Sequence, residues 1–441
     1  MRALFIVVLF ATLATALALA ETEIVVPLSD ALALIDGLVV DRPASLNATE
    51  TRAHATPEAL ARLAEAGIRY RKARSRQATG RRSVRSLAAS YDTSSDLEAD
   101  LFELAAVYSS TVSVHEIGRS ALGKPLLVVK IEGVGDASER VGIRLIANIH
   151  GDEVVGRDLL RRFVRYAAEG EATGDARISA LLSQVTLYVL VSLNPDGYDA
   201  RTRENANGID LNRIFPDQFR GLSKAQPETT AVMRWAQGLI KPVCERCALS
   251  LNLHGGALVA VYGYDGTAIG KSVYSRTPDD ALFRYLSSVY AKAHPTMSKS
   301  RKFPSGTVNG AAWYALYGGL QDWLYKNQSE PHITVEVSDV KYPSASALDG
   351  FWMENRDSLL AYCELAANLG VRGRVTGTTE TVELRIAELG AGAPATRIEG
   401  FYVRMLAPSV YTLVFSTKNG QEKRVSATVS GSEPTIVNVN F

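Results

Sequence analysis

The chain has 441 residues, long enough that a single hydrophobic core rarely serves the whole, so two or three domains are expected. Charged residues make up 22% and apolar ones 46%, the balance of a globular protein and not of a disordered one. Its 48 basic and 47 acidic side chains nearly cancel, which speaks against a nucleic-acid partner, because phosphate binding relies on a basic excess.

Residues 1–20, MRALFIVVLFATLATALALA, carry one arginine, a long apolar run and the small-residue exit Ala18-Leu19-Ala20. They read as a secretory signal cleaved before Glu21, with a retained membrane anchor as the alternative. No later stretch reaches the roughly 18 uncharged apolar residues that a membrane span needs. An extracellular or periplasmic location is therefore expected.

Residues 21–90 form an extension. It opens on a strand-like stretch and continues with Thr56-Pro57, an N-cap followed by proline at the first position of a short helix reaching about Glu65. The basic run from 71 to 86, RKARSRQATGRRSVRS, has no apolar period and reads as an exposed linker open to proteolysis.

From residue 91 helices and strands alternate. Asp96–Tyr108 reads as helix, Leu126–Ile131 and Val141–Ile149 as strands, and Glu153–Ala168 as a helix. A strand at Val185–Ser192, a helix at Pro227–Ile240 and a strand at Ala248–His254 follow. Next come a helix at Asp279–Ala293, a strand at Ile333–Val337 and a helix at Phe351–Leu369. This order predicts an α/β domain over 91–369, a central sheet flanked by helices on both faces. After Gly370 short strands separated by Gly, Pro, Ser and Asn turns predict a small all-β sandwich over 370–441. Cys244 and Cys247 form a C-x-x-C and Cys363 lies far away; three cysteines suit one structural disulfide with partners left open.

Chemistry gathers at strand ends. NIHGDEVVGR places His150 and Glu153 just past a strand, with Gly151 easing the turn that brings them toward one ion. Asn194-Pro195-Asp196-Gly197 is a second strand-end turn, followed by RENANGIDLNR, in which Arg203, Asn212 and Arg213 offer donors suited to carboxylates. LNLHGG puts His254 after a third strand. In HITVEVSD, Glu336 stands among branched apolar residues, where an acid costs solvation energy unless paired or functional.

HGDE, NPDG, NANGxDLNR, LHGG, NGAAWY, GGLQDWxY and TVEVS occur together and in that order. From about residue 91 onward the chain thereby resembles the zinc metallocarboxypeptidases related to carboxypeptidases A and B, and within them the carboxypeptidase N/E-like subgroup. That resemblance implies a metallocarboxypeptidase-like mixed sheet and a transthyretin-like character for the trailing β domain. It implies one zinc per chain on His150, Glu153 and His254, Glu336 as general base and acid, and Arg203 at the scissile carbonyl. Asn212 and Arg213 would grip the α-carboxylate of a peptide or protein C-terminus, and Tyr325 would close over the substrate. Asp265, eleven residues past His254, matches the aspartate associated in that subgroup with terminal Lys or Arg, although Gly263 stands where proline is usual and Gly266 where a second acid is frequent. The subgroup generally lacks a propeptide, so residues 21–90 depart from it.

A zinc deacylase of small N-acyl amino acids and a non-catalytic peptide-binding relative are the competing functions. HGG by itself also fits an esterase, but the chain has no G-x-S-x-G elbow. A monomer is expected. Asn47 and Asn327 begin possible glycosylation triplets.

Overall fold

The structure is a computed structural model that describes residues 22–27, 38–40, 50–55, 63–64, 71–72, 91–133, 138–221, 225–244 and 246–441. The signal, most of the basic linker, Asn47 and most of the helix expected near Glu65 lie outside the described residues. Two compact units result, 1–87 and 88–441. In the first, strands Thr22–Pro27, Leu38–Val40, Glu50–Ala55 and Arg71–Lys72 make an antiparallel sheet in which Thr22–Pro27 and Glu50–Ala55 are central.

The second unit is built on an eight-stranded mixed sheet. Its strands are β1 (Val112–Arg119), β2 (Pro125–Ile131), β3 (Val141–Ala147), β4 (Val185–Leu190), β5 (Cys247–His254), β6 (Ala257–Tyr262), β7 (Thr307–Asn309) and β8 (His332–Ser338). The spatial order is β7-β6-β8-β5-β3-β4-β2-β1, with β8, β5, β3 and β4 mutually parallel. Parallel central strands are covered on both faces, which is why β3 and β4 are apolar along nearly their whole length. Alternate residues serve opposite faces: Ile143, Leu145, Leu187 and Val189 join one core, and Ile146, Tyr188 and Leu190 the other.

The helices are α1 (Ser94–Val107), α2 (Val154–Thr173), α3 (Ala176–Gln184), α4 (Pro195–Ala200), α5 (Pro227–Ala236), α6 (Asp280–Ala293), α7 (Gly310–Trp313), α8 (Leu320–Gln328) and α9 (Leu348–Asn368). Val155, Leu159, Phe163 and Ala167 recur every three or four residues on α2 and pack into the first core; Gly174, at φ 75°, ends the helix. Trp235 of α5 and Trp323 of α8 fill the second. Helix α5 stops at Ala236, short of the expected Ile240, because Gly238 turns left-handed at φ 73°.

Beyond α9 lie β9 (Val371–Thr376), β10 (Val382–Ile386), β11 (Thr396–Ile398), β12 (Phe401–Arg404), β13 (Ser409–Thr417), β14 (Glu422–Val429), β15 (Thr435–Ile436) and β16 (Val439–Asn440). They form two small sheets, one ordered β12-β9-β15 with β16 also on β9, the other β11-β10-β13-β14. Tyr402, Leu413 and Phe415 belong to the same buried cluster as Phe163 and Leu187, so the core runs without a break from the α/β part into the β layers. A disulfide joins Cys244 to Cys247 immediately before β5, and Cys363 is a buried free thiol. No helix among the described residues is long and apolar enough to cross a membrane.

Candidate active site

The chain leaves β3 for β4 on one side and later returns to β5 on the other. The crevice between the carboxyl ends of β3 and β5 is thus a topological switch point, where open α/β sheets receive ligands.

His150 and Glu153 sit on the turn between β3 and α2. Asn148 holds that turn in a left-handed conformation, φ 60°, which asparagine tolerates better than most residues. Its Nδ2 donates to the carbonyls of His150 and Gly151 at 2.9 and 3.3 Å, and its Oδ1 accepts from Ser192 at 2.8 Å. Asn194 stitches the turn to the end of β4 by donating to the Ile149 and Arg203 carbonyls, both at 3.3 Å. Gly151 is required there, since a Cβ would stand 2.0 Å from the Gly197 carbonyl carbon.

His254 ends β5, and Glu336 pairs with it in register on β8. Three atoms face one another: Nδ1 of His150 and Nδ1 of His254 are 3.2 Å apart, and Oε2 of Glu153 is 3.0 Å from the first and 2.9 Å from the second. A tetrahedral zinc with ligands at about 2.0–2.1 Å spaces them by roughly 3.3 Å, so the triangle matches such an ion in size and donor chemistry. The outer nitrogens are also engaged, His150 Nε2 with Asp210 at 3.1 Å and His254 Nε2 with the Asn252 amide at 2.8 Å. Asp210 accepts from Nε2–H and so leaves His150 Nδ1 to a metal; His254 Nδ1 is left to it when the Asn252 carboxamide is turned so that Oδ1, otherwise buried with no partner among the described residues, accepts from Nε2–H.

At Glu153 and His254 the direction of protonation agrees with that use, whereas at His150 the surrounding acids favour the charged form that a bound cation would displace. Burial opposes charge on Glu153, but His150 and His254 outweigh it and hold the carboxyl well below its usual range. Burial likewise lowers His254, keeping it neutral as a ligand must be. His150 is raised because Glu153 and Asp210 outweigh its burial. For Glu336, burial and then the like charge of Glu153 push the carboxyl up to about 8. Its Oε2 is buried with no hydrogen-bond partner among the described residues, and Glu336 lines the cavity beside the triangle.

The cavity is lined by His150, Glu153, His254, Arg203, Asn212, Arg213, Asp265 and Glu336, together with Val261, Gly310, Trp313, Tyr314, Leu316 and Thr334. Arg203 places Nη1 3.0 Å from His150 Nδ1 and 3.2 Å from Glu153 Oε1, while its Nε donates to Asp210 Oδ2 at 3.0 Å. Asn212 accepts from the Leu320 amide at 2.9 Å through Oδ1, which turns Nδ2 into the donor it offers. Arg213 is steadied by the Asn212 carbonyl at 2.9 Å. Asp265 is buried, accepts from Gln321 Nε2 at 2.8 Å and can approach only because position 310 is glycine: a Cβ there would meet Asp265 Oδ1 at 1.8 Å. Burial pushes the Asp265 carboxyl up to about 7, against the pull of Arg213.

Tyr325 is the exception among the expected site residues. It is 1% exposed, its ring packs on Phe283 with centroids 5.0 Å apart, and its hydroxyl donates to Asp279 at 2.7 Å. The side chain lies on the inward face of α8, so it belongs to the core and not to the cavity wall. The tyrosine that lines the cavity is Tyr314, 43% exposed at the end of α7. Three further contributors were not singled out from the sequence. Asp210 binds His150 and Arg203 and caps the turn carrying Asn212; its place inside NANGxDLNR was the available signal. Asn252 lies two residues before His254, on the same face of β5. Lys341 sets Nζ 2.9 Å from Glu153 Oε1, and its carbonyl accepts from Val154 N at 3.2 Å.

Comparison with known proteins places this geometry. The zinc carboxypeptidase family model matches residues 97–358. Carboxypeptidase SOL1 of Arabidopsis thaliana is 40% identical over 290 residues, 65% of this chain and 58% of that protein. Carboxypeptidase D of Mus musculus is 34% identical over 376 residues, 78% of this chain but 26% of its own length. The carboxypeptidase N catalytic chain of Homo sapiens is 32% identical over 394 residues, 78% of this chain and 84% of its own. Among solved structures, thrombin activatable fibrinolysis inhibitor superposes with a TM-score of 0.54 at 18% identity, over 78% of this chain and 98% of that one. Carboxypeptidase A of Helicoverpa armigera gives 0.52 at 18%, over 78% and 97%; both establish the fold alone. On the family match and the relatives whose length it largely spans, the chain belongs to the zinc carboxypeptidase family.

Proposed function

We propose that the protein is a secreted, monomeric enzyme that hydrolyses the C-terminal peptide bond of peptides or proteins and releases a terminal Lys or Arg. The observation that carries this reading is the convergence, in one cavity, of a metal triangle, a carboxyl with a free buried oxygen, a donor pair and a carboxylate at the floor.

Zinc held by His150, Glu153 and His254, one per chain, supplies a Lewis acid for the scissile carbonyl and makes water a stronger acid. Glu336, in its carboxylate form, takes a proton on Oε2 from the attacking water and returns it to the leaving amine. Arg203, restrained by Asp210, donates to the oxygen on which negative charge develops; removing such a donor costs about 10²–10³ in kcat. Asn212 Nδ2 and the Arg213 guanidinium receive the terminal α-carboxylate. An internal peptide bond brings no carboxylate to them and leaves buried donors unsatisfied. Tyr314, exposed beside the donor pair, is the residue placed to close over the substrate.

Asp265 supports the basic preference. Gln321 Oε1 next to it is buried with no partner among the described residues, so a guanidinium or ammonium meets a carboxylate and an idle carbonyl oxygen together. Peptides identical except for a last residue of Arg, Lys, Phe or Leu test this. Arg and Lys peptides are expected to have kcat/KM at least tenfold higher, and a preference for Phe overturns the specificity.

A further inference from the structure

One face of α8 carries both the partners of Asp265, which lines the cavity, and a tie to the C-terminal β layers. Gln321 donates to Asp265 Oδ1 at 2.8 Å, and the Asp265 amide donates to both oxygens of Asp322 at 3.1 Å. Tyr325 follows these residues by four and three positions, the spacing that aligns side chains along one face of a helix. Its hydroxyl donates to Asp279 Oδ2 at 2.7 Å. Asp279, just before α6, accepts Nη2 of Arg404 on both oxygens, at 2.7 and 2.9 Å.

Arg404 stands on β12, and neither its side chain nor that of Asp279 is more than 2% exposed. Tyr264, the neighbour of Asp265, brings its ring centroid within 5.9 Å of that of Tyr325. A chain of contacts therefore leads from the β layers through α8 to the foot of the cavity. Burying an arginine–carboxylate pair adds little stability over apolar packing of the same volume. What such a pair does enforce is direction, because its bonds are satisfied in only one arrangement.

We infer that Arg404, acting through Asp279 and Tyr325, is a positioning residue for selectivity: it holds α8 in the register that sets Gln321 and Asp322 against Asp265. The inference rests on the reading of Asp265 as the receiver of a basic terminal side chain. None of Arg404, Asp279 and Tyr325 lines the cavity, so the bond-cutting groups stay in place when this chain of contacts is broken.

The test uses the full-length protein and two peptides that differ only in ending with Arg or Leu. Tyr325→Phe keeps the ring and removes one hydrogen bond; it is expected to lower the Arg-to-Leu ratio of kcat/KM at least threefold. The loss falls on KM for the Arg peptide, while kcat on the Leu peptide is unchanged. Arg404→Gln lowers the ratio further, and the double variant matches Arg404→Gln alone because both changes break one chain. A wild-type ratio in folded Tyr325→Phe overturns the inference, as does an equal loss on both peptides, which is what a merely structural role produces. Should Arg404→Gln not fold, Tyr325→Phe decides the matter alone. Asp265→Asn in the same assay separates the two readings. If it leaves the ratio unchanged, the reading of Asp265 fails and the inference falls with it; if it collapses the ratio while Tyr325→Phe does not, only the positioning fails.

Discussion

Glu336 combines a buried oxygen unpartnered among the described residues with a carboxyl pushed up to about 8, and its Cα pairs in register with that of His254. Glutamine in its place keeps the shape and removes the base. Glu336→Gln is therefore expected to lower kcat by about 10²–10⁴ while zinc per chain is unchanged, checked by steady-state kinetics and metal analysis. Turnover within tenfold of wild type contradicts the assignment. Asp265 offers a stability measurement independent of catalysis. Burial pushes its carboxyl up to about 7 and raises that of the adjoining Asp322 too, while an unfolded aspartate titrates near 4, so between those values the native state holds protons on this pair that the unfolded state has lost. Stability then falls as pH rises from about 4 to about 7. Asp265→Asn removes this contribution, and its melting temperature is expected to decline less over that range; parallel curves contradict the prediction. At this scale the sequence spoke clearly where a residue type is costly in its setting, as with an acid inside the branched run of β8. It was silent where identity was shared: tyrosines close two neighbouring motifs, NGAAWY and GGLQDWxY, and only burial separates the cavity residue Tyr314 from the core residue Tyr325.

Among the elements, the turn from β3 to α2 matters most to the site. Glu153 is the N-cap of α2, yet its side chain makes no cap hydrogen bond; the Lys341 carbonyl takes the Val154 amide instead, and the carboxylate is left to face His150 and His254. The turn closes only with glycine at 151. Gly151→Ala forces the Gly197 backbone away, and loss of zinc binding by at least tenfold is expected in equilibrium dialysis; wild-type affinity contradicts this account of the turn. Long apolar runs with clear periodicity, such as α2 and β4, were legible to within a few residues. The helix α8 was not, because LQDWLYKNQ buries the polar pair Gln321 and Asp322 beside Trp323 and so shows no apolar stripe. Strand β6 escaped as well: it follows His254 after a two-residue turn, and its run ALVAVY lacks the alternation that marks a half-buried strand.

In the whole molecule, the order of strands brings together residues separated by 186 positions, from His150 to Glu336. No spacing rule in the sequence could predict that meeting; it follows from the switch point between β3 and β5. The transition from helix to short strands at Gly370 was visible in turn residues, whereas the continuity of the core across it was not, since strand pairs and packing partners there are remote in sequence. The central claim is that this fold recognises a chain end and not a bond in mid-chain. The most direct measurement is the release of free arginine by the zinc-loaded protein from a peptide ending in Arg, compared with the same peptide amidated at its C-terminus. Release from the free acid, with amidation reducing kcat/KM by at least a hundredfold, is the predicted result. Equal rates on the two peptides, or cleavage at internal bonds, would contradict it.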